Sequence, residues 1–151
     1  MARLAIIGGT GVYDPNMLED IREETVATPY GMVDISLGVF QGVDVVFMQR
    51  HGRGHTLPPH KINYRANMWA LKELGVTKIL ATSAVGSLNE SMEPGHLVLL
   101  DQFIDFTKTR PFTFYDGEDG QVVHTDFTEP YCGKMRNTIE QAATKLGLPL
   151  H

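Results

Sequence analysis

The sequence predicts an α/β fold: a mixed, twisted sheet flanked by helices. Three observations carry this. A short apolar run, "RLAIIGG" (3–9), closes on two glycines, as a buried strand of an α/β sheet does. Two β-rich runs in "MVDISLGVFQGVDVVFMQR" (32–50) are split by Gln41-Gly42, a hairpin signal. Two later segments carry apolar residues at helical spacing, each followed by a glycine stop.

In chain order, the first strand runs into "GGTGVYD", a glycine-rich turn. The hairpin follows, and its second strand ends at Arg50. Asn63 to Leu74 reads as a helix, with Ile62, Ala66, Trp69, Ala70 and Leu74 near one face and Gly75 at its end. "TKILATSAVG" (77–86) reads as another buried strand ending in small residues, and "HLVLLDQFID" (96–105) as a further strand. Residues 107–130 are punctuated by Pro and Gly and show no period; long irregular stretches of this kind are often functional. Gly133 to Leu146 is the second helix, with Met135, Ile139, Ala142, Ala143 and Leu146 on one face and Gly147 as its stop. The order strand, hairpin, helix, strand, strand, helix requires a mixed sheet. "LGLPLH" (146–151) reads as the approach to another strand, so the chain is expected to be the front part of a larger domain.

Composition narrows the function. The chain has 151 residues, enough for one domain, with 42% hydrophobic and 21% charged residues. A net charge of −5 opposes nucleic acid and anionic membrane as partners. The lone Cys132 makes no internal disulfide, and "MARLAIIGG" is too short and too glycine-broken for a membrane span or signal peptide; a cytoplasmic protein is expected.

Against that acidic background, Arg50 to Lys72 carries eight basic or imidazole side chains. This segment, the glycine turn and "ATSAVGSL" each follow a strand end, where α/β sheets bind ligands. Gly8, Gly9 and Gly11 let backbone approach an anion, and Thr10 adds a hydroxyl. Arg50 offers a planar fork to an oxyanion, and His51 a further donor. Ser83 and Ala84 supply a hydroxyl and a backbone N–H. Each element also has a plain reading: a strand-to-loop turn, a solvated basic loop, a strand end chosen for packing. A dinucleotide turn is disfavoured because Asp14 and Pro15 stand where a glycine and a helix start are needed. A metal site at His51, His55 and His60 is disfavoured because no carboxylate or cysteine joins them at close spacing and Pro58-Pro59 break any helix. No nucleophile–base pair is evident, so a small anion, as reactant or anchor, is the reading that unites the three elements.

"IIGGTG", "RHGRGHTLPPHKINYRANMWALKELG", "ATSAVGSL" and "DQFIDFTKTRPFTFYDG…EPYC" resemble the trimeric purine nucleoside phosphorylase superfamily, most of all its methylthioadenosine phosphorylase branch. The resemblance covers the whole chain. It implies a nucleoside phosphorylase-like fold and phosphorolysis of a 5′-methylthio purine nucleoside, in which phosphate attacks the anomeric carbon and the purine leaves. Methylthioinosine or general purine nucleosides, and a non-catalytic phosphate or nucleoside sensor, are the alternatives. By resemblance, Thr10, Arg50, His51, Ser83 and Ala84 match phosphate-binding positions. Val85 and Gly86 match the segment along the nucleoside, and His55 and Pro59 match positions near the 5′-substituent. His124 lies in the segment that reaches a neighbouring subunit's site in a homotrimer. Inorganic phosphate is the co-substrate; no cofactor and no metal are implied.

Ser83 stands where the branch often has threonine; either supplies a hydroxyl. In the family the purine-recognising acid, the leaving-group proton donor and the ribose-contacting segment come later in sequence. Residues 1–151 are therefore expected to be the N-terminal part of a phosphorylase domain, inactive as an isolated piece, with the catalytic proton donor outside it.

Overall fold

The computed structural model describes residues 3–9, 12 and 17–151. Five strands form one sheet in the order β2-β3-β4-β1-β5. They are β1 (Arg3–Gly8), β2 (Glu19–Thr28), β3 (Gly31–Phe40), β4 (Val43–Gln49) and β5 (Val76–Ala81). The helices are α1 (Tyr64–Glu73) and α2 (Gly133–Leu146). β4 and β5 flank β1 in parallel, whereas β2, β3 and β4 form an antiparallel meander. The mixed sheet expected from the sequence is the one observed.

The chain divides into two compact units, residues 1–84 with 109–114, and residues 85–108 with 115–151. The first holds the sheet and α1. Its hairpin turns at Gln41 (φ 49°) and Gly42 (φ 77°), two left-handed residues in succession, which matches the right-handed twist of β3 and β4. Side chains alternate across the pleat. Ala5 and Ile7 of β1, Val33, Ile35 and Leu37 of β3, and Val46 and Met48 of β4 share one face and are buried. Against them lie Ala66, Ala70 and Leu71 of α1. The two alanines allow close approach of helix to sheet. Burying a side chain such as Leu71 or Met48 contributes about 1.5–3 kcal/mol. Asn63 caps α1, its side chain accepting from the Ala66 N–H at 3.1 Å, and Gly75 (φ 71°) follows its last turn. Thr109–Phe114 returns to this unit. Arg110 donates to the Tyr64 hydroxyl at 2.9 Å and lies over its ring, and Phe114 packs edge-on against Tyr30.

In this unit three details depart from expectation. β2 was not foreseen. It is a charged edge strand in which only Val26 joins the core cluster. β5 is mostly exposed and not buried, because it is hydrogen-bonded to β1 alone at the edge of the sheet. Trp69 is half-buried and edge-on to Tyr30; Leu71, not Trp69, joins the two alanines in the core.

In the second unit, α2 has the bounds read from the sequence, and Gly147 (φ 63°) closes it in the left-handed region. Ala143 is its buried residue, while Leu146 is exposed. "HLVLLDQFID" is not a laddered strand. Leu97 forms a single parallel bridge with Leu150, held by three backbone hydrogen bonds between residues 97–99 and 149–151. The irregular segment is organised by side-chain-to-backbone turns. The Asp105 and Asp126 carboxylates each accept from the backbone N–H and hydroxyl of a threonine two residues on. The Thr128 hydroxyl, then its N–H, hold the Asp126 carboxyl below its ordinary range. Phe103 packs edge-on against Phe127 and Tyr131.

Candidate anion site at three strand ends

Because β4, β1 and β5 are parallel neighbours, their carboxyl ends lie side by side. The Arg50 N–H donates to Gly8 O at 3.2 Å, and the Thr82 N–H to Ile7 O at 3.0 Å. These two bonds continue the ladders one residue beyond the strands and fix where Arg50 and Thr82 emerge.

The half-buried Arg50 side chain then crosses the end of β1. Its Nη1 donates to Thr82 O at 2.7 Å and its Nη2 to Ser83 Oγ at 3.3 Å. The guanidinium passes directly over Gly9. A Cβ there would lie 2.4 Å from Arg50 Nη2 and 3.2 Å from Thr82 O. Gly9 is therefore a matter of space, not of an unusual backbone angle. Among the described residues the guanidinium uses two of its five N–H groups, and Ser83 accepts from Arg50 while keeping its own hydroxyl proton to donate. The result is a fixed cation with a hydroxyl beside it at the mouth of the sheet, suited to an oxyanion.

His51 is held by the loop it opens. Its Nδ1 is 2.8 Å from Leu57 O, and the Leu57 N–H donates to His51 O at 2.8 Å. A carbonyl only accepts, so Nδ1 carries a proton, and Nε2 bears an N–H only in the imidazolium form. The His55 ring lies against His51, tilted by 34° with centroids 4.5 Å apart. Gly52 (φ 73°), Gly54 (φ 70°) and His55 (φ 59°) all adopt left-handed backbone, which curls the loop tightly; for His55 that is a strained position. His55 and Pro59 are exposed.

Of the residues singled out from the sequence, the structure brings Arg50 and Ser83 into contact, with His51 next in chain and Ala84 exposed after Ser83. Thr10 lies outside the described residues. Val85, Gly86 and His124 belong to the second unit and are exposed there. Among the described residues no three His, Cys, Asp or Glu side chains gather as a metal site. Sequence reasoning missed Thr82, whose carbonyl orients Arg50 and whose hydroxyl is buried without a partner among the described residues. It was readable only as part of a small-residue strand end.

The phosphorylase superfamily model matches residues 3–151. The chain belongs to that superfamily. A probable 6-oxopurine nucleoside phosphorylase of Thermococcus kodakarensis is 60% identical, covering 100% of this chain and 58% of that protein. An S-methyl-5′-thioadenosine phosphorylase of Hyperthermus butylicus is 51% identical, covering 99% of this chain and 55% of that protein. A solved methylthioadenosine phosphorylase from Schistosoma mansoni, in complex with adenine, superposes with a TM-score of 0.88 at 43% identity, over 96% of this chain and 54% of that one. This chain therefore has the fold of the superfamily, and it spans little more than half the length of the relatives it matches. No helix among the described residues is long and apolar enough to cross a membrane.

Proposed function

We propose that the full-length protein is a purine nucleoside phosphorylase and that the three strand ends form its phosphate site. The carrying observation is the Arg50 guanidinium, laid over Gly9 and bonded to Thr82 O and Ser83 Oγ. In the reaction a phosphate oxygen forms a bond to the anomeric carbon as the bond to the purine nitrogen breaks. The electron pair leaves with the purine, which takes up a proton. The sugar passes through an oxocarbenium-like transition state, and a phosphate dianion beneath it is both nucleophile and counter-charge. The protein's task is to hold that dianion in line. Arg50, Ser83 and the Ala84 N–H, with Thr10 and His51, are assigned to it. His55 and Pro59 are assigned to the 5′ side of the nucleoside, Val85 and Gly86 to its length, and His124 to a neighbouring subunit in a homotrimer. Phosphate is co-substrate, no cofactor is used, and the protein works in the cytoplasm.

The preferred substrate is a 6-oxopurine nucleoside, since the relatives named for that activity are more similar than those named for methylthioadenosine. This reverses the order expected from the sequence. Methylthioadenosine is the second reading, favoured by the superposition on the Schistosoma enzyme. Phosphate-dependent release of base from inosine, guanosine, methylthioadenosine and methylthioinosine tests both. Faster turnover of inosine and guanosine supports the first; no cleavage of any of the four with phosphate present overturns the assignment.

A further inference from the structure

Glu23 sits on β2, a strand whose residues 19–25 include five charged side chains and which lies at the sheet edge. Charged residues on an edge strand ordinarily guard against edge-to-edge pairing, and that suffices for most of them. Among the described residues, Glu23 differs in that both carboxylate oxygens are committed. Oε1 accepts from Ser36 Oγ at 2.8 Å, and Oε2 from Arg53 Nη2 at 2.6 Å. Ser36 is the cross-strand partner of Glu23 on β3 and a buried polar residue, so its hydroxyl fixes the carboxylate against a strand paired on both sides. Arg53 lies in the loop that begins at Arg50 and His51. That loop closes on itself through the His51–Leu57 pair and turns through three left-handed residues, Gly52, Gly54 and His55. The Arg53–Glu23 contact ties this curled loop to the sheet. Below it lies a cavity of about 300 Å³, lined by Ser36, Phe47, Gln49 and Leu57 among others, so the loop has open space beneath it.

We infer that Glu23 is a positioning residue for the phosphate site: through Arg53 it sets the place of the loop that carries His51 and His55. The inference rests on the phosphate-site reading. It assigns Glu23 no contact with substrate.

The test uses the full-length protein and the variants Glu23→Gln, Glu23→Asp, Arg53→Met and the Glu23→Gln/Arg53→Met pair. The ion pair is about half exposed, so its loss is worth at most about fivefold. The expected result is a rise of about that size in the KM for phosphate in Glu23→Gln and in Arg53→Met. The double variant is expected to be no worse than either, Glu23→Asp to recover part of the loss, the nucleoside KM to rise by no more than the phosphate KM because His55 rides on the same loop, and kcat and Tm to change little. Amide hydrogen exchange across residues 52–57, measured without substrate, should quicken in Glu23→Gln. An unchanged phosphate KM, fully multiplying effects in the double variant, or unchanged exchange overturns the inference. Absence of phosphorolysis in the wild-type protein would instead overturn the functional reading, and the exchange result would still decide whether Glu23 holds the loop.

Discussion

Gly9→Ala isolates the geometry of the site from its chemistry. The substitution removes no functional group, and it adds a methyl 2.4 Å from Arg50 Nη2 and 3.2 Å from Thr82 O. The nearer atom ends a flexible side chain, so the guanidinium moves and the fold survives. The farther atom is backbone and must yield only a few tenths of an ångström. Gly9 does not use left-handed backbone, so alanine adds no conformational strain. The backbone itself should therefore add little to any loss of stability. Arg50 must give up its bonds to Thr82 O and Ser83 Oγ, however, and hydrogen bonds from a charged group are worth about 1.5–3 kcal/mol each. Losing the alignment of one such donor should lower kcat/KM for phosphate by about 10–100-fold, or roughly 1.4–2.7 kcal/mol of transition-state stabilisation. Steady-state phosphorolysis with varied phosphate, in the full-length protein, reads this directly. In an Arg50→Ala background the same change should cost almost nothing, because the displaced group is already gone. Unchanged phosphate kinetics in Gly9→Ala, or a loss that multiplies fully with that of Arg50→Ala, would refute this reasoning.

Other changes probe the remaining parts. Arg50→Ala should cost a few kcal/mol of transition-state stabilisation, comparable to removing one oxyanion donor, with a greater effect on phosphate than on nucleoside kinetics. Ser83→Thr should keep phosphate affinity within about threefold, and Ser83→Ala should weaken it, since only the hydroxyl is needed; titration calorimetry with phosphate separates them. Asn63→Ala removes the α1 cap and the bond from Asn63 Nδ2 to Tyr30 O, and should lower stability by about 1–2 kcal/mol in denaturant unfolding. Leu71→Ala, at a site that is 1% exposed, should cost about 2–5 kcal/mol in the same measurement.

The elements with strong local chemistry were legible from sequence. Gln41-Gly42 demanded a two-residue turn, Asn63 and Gly75 bracketed α1, and Gly147 closed α2, because caps and left-handed turns are set by the residues themselves. What escaped was decided by partners distant in the chain. β2 has almost no apolar alternation, and it is a strand because β3 pairs with it and Thr28 closes the turn onto Gly31. "HLVLLDQFID" has the apolar run of a strand but, apart from the Leu97–Leu150 bridge, makes no ladder among the described residues. At the site, Arg50 and Ser83 could be named from residue type at strand ends. The reason for Gly9, a guanidinium lying across it, and the bond from Glu23 to Arg53 depend on contacts 30 or more residues apart, for which no local pattern exists.

A crystal structure of the full-length protein grown with inorganic phosphate tests the central claim most directly. The account predicts one phosphate at the carboxyl ends of β1, β4 and β5, with the Arg50 guanidinium and Ser83 Oγ both within about 3.2 Å of its oxygens. A phosphate bound elsewhere, or Arg50 and Ser83 turned away from a shared ion, would contradict it.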